Sequence, residues 1–258
     1  MNFIETVKNT AVQENQAAVF WLGQAGFLIK TASGKQIAID PFFSDCVLRI
    51  EKLQGFKRLM PPPCDARDLE LDILIISHEH NDHFDVDAIH DLVRPKTAVY
   101  TNSVVAGKLL EMGFDKAQVH TLQKEMPVVL DEFTLLPVDC DHGELAPEAL
   151  GLVLDFGFSK LYYAGDTSLS PDRLQTPIKL QPEVAILPIN GAFGNLDSVQ
   201  AAQYANMLHC KTCIPCHFWT FPLHHGDPQI LIDCIGSVAP DCKLNLLCQG
   251  EHYLMTNV

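Results

Sequence analysis

Apolar positions in this chain fall into two kinds of run. Short, almost continuous apolar runs suit buried strands, and runs spaced three or four residues apart suit helices. "AAVFWLG", "GFLIKTA" and "KQIAID" predict three successive strands, parted by a turn bearing Gly23 and Gly26 and by Ser33-Gly34. "LDILIISH" predicts a fully buried strand. "HFDVDAIHDLVR" then places Phe84, Val86, Ile89, Leu92 and Val93 at helical spacing. "TAVYTN" and a helix over Val104 to Met112 continue the alternation, and "QVHTL", "MPVVL", "FTLLPVDC", "ALGLVLDF" and "KLYYAGD" predict consecutive strands. The remainder reads as a helix from Asp172 to Leu180 with Ser170 as its N-cap, the strand "EVAILPI", the helix "DSVQAAQYANMLH", the strand "KTCIPCH" and the helix "DPQILIDCIGSV". Each half supplies strands and then helices, so the expected class is α/β: two sheets face to face with helices outside, a four-layer αββα sandwich.

No composition shift divides the chain, so residues 1–258 are expected to form one domain, with residues 41–70, which include Pro61-Pro62-Pro63, as a lid or insertion loop. Apolar residues make up 47% of the 258, enough for one large core. The net charge of −14 repels phosphate backbones and excludes nucleic acid as the main partner. "MNFIETVKNTAVQENQ" lacks the basic and apolar regions of a signal peptide, and no apolar run reaches membrane-spanning length. A cytoplasmic protein with no membrane partner is expected, and a homo-oligomeric assembly. The nine cysteines are then reduced thiols, mostly buried. "CIPCH" at Cys213–His217 matches a haem-attachment spacing, but that chemistry belongs to exported proteins.

The densest chemical signal is "ISHEHNDHFD". It packs His78, His80, Asp82 and His83 into six positions at the end of a buried strand. Neutral imidazole and anionic carboxylate in this mixture suit zinc, manganese or iron. His78 and His80, two apart, can share one side of an extended segment. Further candidates stand at later strand ends: His142 in "PVDCDH", Asp166 in "YAGDTS" and His217 in "CIPCHF".

This ordered set resembles the metallo-β-lactamase fold of metal-dependent hydrolases, from about Phe20 to about Tyr253. The resemblance implies one divalent metal on His78, His80 and His142, a second on Asp82, His83 and His217, and Asp166 bridging both; His142 is preferred to the earlier His120. "WLGQAGFLIKTASGKQIAIDPFFSD", "LPINGAFGNLDSVQAAQYA" and "IPCHFWTFPLHHGDPQ" are similar to the branch that includes L-ascorbate-6-phosphate lactonase. Two metals about 3.5–4 Å apart can share a hydroxide and keep it deprotonated at neutral pH, with Asp82 placed to steer it. The expected activity is hydrolysis of a small anionic substrate, a phosphorylated sugar-acid lactone. A phosphodiesterase on the same site is the alternative, and a diiron electron-transfer protein is the alternative from another class. Expected substrate contacts are Lys57 and Arg58, from the basic run "LRIEKLQGFKRLMPPP", with Asn190, His224 and His225. Trp219 and Phe221 are expected at the pocket wall.

Overall fold

The computed structural model describes residues 2–224 and 226–257. Its strands are β1 (Gln16–Gly23), β2 (Gly26–Thr31), β3 (Gln36–Ile39), β4 (Ile73–Ile76), β5 (Ala98–Thr101), β6 (Val119–Thr121), β7 (Val128–Val129), β8 (Thr134–Asp139), β9 (Leu150–Asp155), β10 (Lys160–Tyr163), β11 (Val184–Pro188), β12 (Thr212–Cys216), β13 (Lys243–Leu244) and β14 (His252–Thr256). Its α-helices are α1 (Phe3–Asn9), α2 (Cys46–Glu51), α3 (Ile89–Leu92), α4 (Ser103–Glu111), α5 (Gln175–Leu180), α6 (Ser198–Leu208) and α7 (Pro228–Val238). Among the described residues no helix is long and apolar enough to cross a membrane.

The strands form two seven-stranded sheets, ordered β14-β1-β2-β3-β4-β5-β6 and β13-β12-β11-β10-β9-β8-β7. Each is antiparallel on one side and parallel on the other; the parallel pairs are β3–β4, β4–β5 and β5–β6 in the first, and β10–β11, β11–β12 and β12–β13 in the second. Strand β14 pairs with β1 and was not anticipated from the sequence.

Successive side chains of a strand point to opposite faces, and both faces here are apolar. Along β1, Ala17, Val19 and Trp21 join the core between the sheets, and Ala18, Phe20 and Leu22 join a second core with Phe3, Ile89, Leu92 and Leu109 of the helices. The second sheet shows the same division. Tyr163 turns inward, its ring 6.4 Å from that of Phe27, and Tyr162 turns outward, its hydroxyl 3.0 Å from the Tyr204 hydroxyl on α6. The layers are therefore helices, sheet, sheet, helices.

Two local expectations are corrected. The helix expected over residues 83–94 is confined to Ile89–Leu92, because the preceding residues fold as turns in which the His80 carbonyl accepts from both His83 N and Phe84 N. The helix expected from Asp172 begins at Gln175, and the Ser170 hydroxyl donates to Asp141 instead of capping it. Residues 41–70, expected as a lid or insertion loop, contain α2 and two 3₁₀ turns, Gln54–Phe56 and Ala66–Asp68. Asp85 holds the start of this segment down, its carboxylate accepting from Phe43 N at 2.8 Å, Ser44 N at 2.7 Å and Ser44 Oγ at 2.5 Å.

Candidate metal centre

Strand ends on one edge of the sandwich deliver the polar residues. Asp40 follows β3, His78 follows β4, His142 follows β8, Asp166 follows β10 and His217 follows β12. Neighbouring strands are about 4.8 Å apart, so ends that are remote in sequence meet.

The seven candidate ligands converge. His78 Nε2 lies 3.0 Å from His80 Nδ1, and His142 Nε2 lies 3.2 Å from the same His80 atom. On the other side His217 Nε2 lies 3.3 Å from Asp82 Oδ2, and His83 Nε2 lies 3.9 Å from that oxygen. Asp166 stands between the groups: Oδ2 is 3.6 Å from His142 Nε2, and Oδ1 is 3.2 Å from His83 Nε2 and 3.3 Å from His217 Nε2. His78, His80, His142 and Asp166 form one set able to hold an ion, and Asp82, His83 and His217 form another. His120, the other histidine of this region, is exposed on β6 and stacked on Tyr100.

The donor set fits cations. His83 Nε2 and Asp166 Oδ1 are buried and make no hydrogen bond, although they face each other. Buried polar atoms without partners are rare and call for an ion, a water or a ligand. Burial alone would lower the His83 pKa, but Asp166, Asp82 and Asp40 outweigh it and hold it well above the ordinary value. Burial would raise Asp166, but His217 and His83 outweigh it and keep that carboxylate ionised. Burial and the neighbouring His83 hold His78 well below its ordinary value, so its ring is neutral, the form that ligates metals.

Asp40 supports the ligands and was not singled out from the sequence. Fully buried, its Oδ2 accepts from Ser77 Oγ at 2.5 Å, His83 Nδ1 at 2.7 Å and the Tyr163 hydroxyl at 2.7 Å, and its Oδ1 accepts from Ser77 N at 2.7 Å. Asp40, His78 and His83 could themselves form an ion-binding group, but four accepted bonds leave Asp40 little capacity to ligate. Its bond instead fixes the His83 proton on Nδ1 and leaves Nε2 free to ligate, the usual partnership of carboxylate, histidine and metal. Gln24 is a second support: its Nε2 donates to Asp82 Oδ2 at 2.9 Å, and its carbonyl accepts from His217 N at 2.9 Å and from Trp21 Nε1 at 3.0 Å. Gly165 is required by its backbone: φ is +62°, and a Cβ there would lie 2.9 Å from the Leu150 carbonyl oxygen. Asp141 ties the loop of His142 to that of Asp166, receiving Ser168 Oγ at 2.7 Å and Arg173 at 2.7 Å, while its N–H donates to Thr167 Oγ1 at 2.9 Å.

A cleft of about 230 Å³ opens over the ligands. Val47, Glu51 and Phe56 line it from the segment 41–70, and Asn190, Phe193, Phe221 and His224 line it from the loops after β11 and β12. Phe56 packs on Phe221 at 5.8 Å, His224 at 5.8 Å and Phe193 at 6.2 Å. Burial pushes His224 down to about 4, so it is a neutral hydrogen-bonding group at pH 7. Lys57 and Arg58 do not line the cleft. Lys57 is exposed. The Arg58 guanidinium lies 4.5 Å over the Phe42 ring and donates to the Phe42 carbonyl at 2.9 Å and the Met60 carbonyl at 2.8 Å. Phe221 is buried at the cleft, whereas Trp219 is half exposed and leans on Phe218. His225 lies outside the described residues.

The Cys213 and Cys216 side chains are buried, and burial pushes both thiols well above their ordinary range, the wrong direction for metal-binding thiolates. His217 follows Cys216 in a left-handed conformation, φ +61°, and only the histidine reaches the ligand cluster.

The chain is similar to known metal-dependent hydrolases. A UPF0173 metal-dependent hydrolase of Hyperthermus butylicus is 27% identical over 238 residues, covering 91% of this chain and 98% of the relative. One from Aeropyrum pernix is 28% identical over 252 residues, covering 92% and 97%. Among solved structures, the metallo hydrolase Igni18 of Ignicoccus hospitalis superposes with a TM-score of 0.72 at 22% identity, covering 93% of this chain and 98% of the other. The isothiocyanate hydrolase of Delia radicum gut bacteria superposes with a TM-score of 0.75 at 19% identity, covering 93% and 100%. The family model described as the β-lactamase superfamily domain matches residues 18–217, and with the ligand cluster inside that span the chain belongs to the metallo-β-lactamase superfamily of metal-dependent hydrolases.

Proposed function

We propose that the protein is a dinuclear hydrolase that opens a small, uncharged lactone. The observation that carries this reading is a pair of ligand groups joined by Asp166 at the floor of a cleft with no lysine or arginine among its described lining residues. His78, His80 and His142 would hold one ion, Asp82, His83 and His217 the other, and Asp166 both. Two such divalent ions, zinc or manganese, would when bound supply Lewis acidity that makes a water acidic enough to attack at neutral pH.

The chain's own residues do the rest. Asp40 keeps the His83 proton on Nδ1. Gln24 restrains Asp82 on the side facing His217. The aromatic wall of Phe56, Phe193 and Phe221 excludes water from one side of a small ring. His224, neutral and 3.3 Å from Asn190 Nδ2 through its Nδ1, offers a hydrogen bond and no charge.

Away from the ions a pendant phosphate group would find only acidic and neutral side chains, so we retain the lactone without its phosphate; a phosphodiester, whose charge the ions themselves would meet, is the alternative that the test separates. The test is a panel of δ-valerolactone, γ-butyrolactone, bis(4-nitrophenyl) phosphate and an acyl thioester, assayed with zinc- and manganese-reconstituted protein. Lactone opening that disappears in Asp166→Ala supports the reading. Cleavage of the diester without lactone opening would refute it. Charge-transfer bands in the visible spectrum of the purified protein would favour the diiron electron-transfer alternative.

A further inference from the structure

The loop after β11 carries polar groups that neither the fold nor the metal ligands use. Asn195 is 6% exposed and lines the cleft, yet neither its Oδ1 nor its Nδ2 has a hydrogen-bond partner. Asn190, on the same loop, has its Oδ1 buried without a partner. Native proteins rarely leave a whole carboxamide unpaired, since each unmet buried group costs stability.

The loop is built to hold Asn195 still. Asn195 N donates to the Ala192 carbonyl at 3.0 Å, closing a turn whose central residues, Phe193 at φ +53° and Gly194 at φ +83°, are both left-handed. A bulky residue is rarely found there, and such strain persists where the surroundings impose it. The Phe193 ring is held against Phe56 and His224. The next residue, Leu196, donates its N–H to the Thr167 carbonyl at 2.9 Å. Thr167 directly follows Asp166, so the turn is tied to the backbone that carries the joining ligand.

We propose that Asn195, with Asn190 of the same loop, is the specificity element of this cleft and reads ring hydroxyl groups on an uncharged substrate. A carboxamide offers two donors and an acceptor, and a hydroxyl both donates and accepts, so hydroxyls on a small ring answer the unpaired atoms without introducing charge. The proposal rests on the cleft being the substrate site and deepens the lactonase reading by naming a hydroxylated ring as the preferred class. Sites that hydrogen-bond a substrate hydroxyl reject analogues that lack it.

The test uses rings without a scissile bond alongside rings with one. Binding of 1,5-anhydro-D-glucitol and of tetrahydropyran to metal-loaded wild type and Asn195→Ala is measured by saturation-transfer NMR. Turnover of D-glucono-δ-lactone and δ-valerolactone is measured in parallel. Wild type is expected to prefer the hydroxylated ring by roughly tenfold or more in both binding and kcat/KM. Asn195→Ala is expected to lose that preference with its melting temperature unchanged or raised, because the amide makes no bond within the fold. If wild type and variant bind the hydroxylated ring equally, or neither binds it, the amide holds only water and the proposal is overturned, even where δ-valerolactone is still opened. If neither lactone is opened but hydroxyl-dependent binding is lost in Asn195→Ala, the specificity element stands and the lactonase reading falls. Asn195→Leu, which keeps the branching at Cγ but removes both polar atoms, repeats the comparison should the alanine variant fail to fold; unfolding of both would make Asn195 structural and overturn the proposal.

Discussion

Replacing Asp40 by asparagine tests the support of the metal centre without touching a ligand. The side chain keeps its shape, but a four-bond acceptor becomes half donor. Wild-type Asp40 receives Ser77 N, Ser77 Oγ, His83 Nδ1 and the Tyr163 hydroxyl. The asparagine oxygen can keep about two of these, and its NH₂ turns toward groups that also donate. Hydrogen bonds to a charged group are worth about 1.5–3 kcal/mol each, so two lost bonds cost roughly 3–6 kcal/mol before relaxation. At about 2–4 °C per kcal/mol for a chain of this size, the melting temperature should fall by at least about 6 °C. Without its acceptor, His83 can place its proton on Nε2, where it blocks ligation, and loss of such a supporting carboxylate weakens metal affinity by about 10- to 100-fold. The assays are thermal unfolding of the metal-free protein and a chelator-competition titration with zinc. A variant that melts with wild type and competes equally well for zinc would refute the assignment of Asp40 as the group orienting His83.

Three further outcomes are expected. Gly165→Ala should lower metal occupancy and stability together, by about 1 kcal/mol or more, because a Cβ would meet the Leu150 carbonyl oxygen at φ +62°; normal occupancy measured by elemental analysis would argue against it. Cys213→Ala with Cys216→Ala should leave the metal content intact, whereas His217→Ala should deplete it; the same analysis reads both, and the reverse pattern would overturn the reading of "CIPCH". The metal-free protein should lose stability as pH rises above neutrality. His83 has a folded pKa well above the roughly 6.5 of an unfolded histidine, so its contribution is full below that value and disappears as pH climbs through the folded pKa. Asp82 and Asp166 are held below the ordinary carboxylate range, so theirs is full above about 4 and is lost in acid. Zinc should remove the alkaline loss, since bound ligands are already deprotonated; melting curves from pH 6 to 10 with and without zinc check this, and a flat profile without zinc would contradict it.

The candidate ligands were legible because metal chemistry would concentrate them: four of six residues from His78 to His83 have no structural reason to be polar at the end of a buried strand. The strands were legible because both faces of each sheet are covered, which writes continuous apolar runs. Asp40 and Gln24 were not legible. Each is a single polar residue at a strand or turn end, and its meaning arises only when β3 pairs with β4 and when the β1–β2 turn meets His217. Asn195 hides for the same reason in "GAFGNLD", which reads as an ordinary turn. Arg58 shows the opposite case: a charge run in a loop advertises anion binding, but a guanidinium can equally serve as a half-buried staple for carbonyls, as it does at Phe42 and Met60.

The pairing of β14 with β1 also dictates the order of events during synthesis. Gln16 pairs with Thr256, so roughly 240 residues, some 10–50 s of translation, separate the emergence of the two partners. Through that interval β1 has an open edge, the kind of template on which other chains can add. The same strand leads into the turn whose Gln24 restrains Asp82 and His217. A nascent chain can therefore gather its histidines before the sheet carrying their support is closed, and β14, which emerges after all of the candidate ligands, is the strand that seals it.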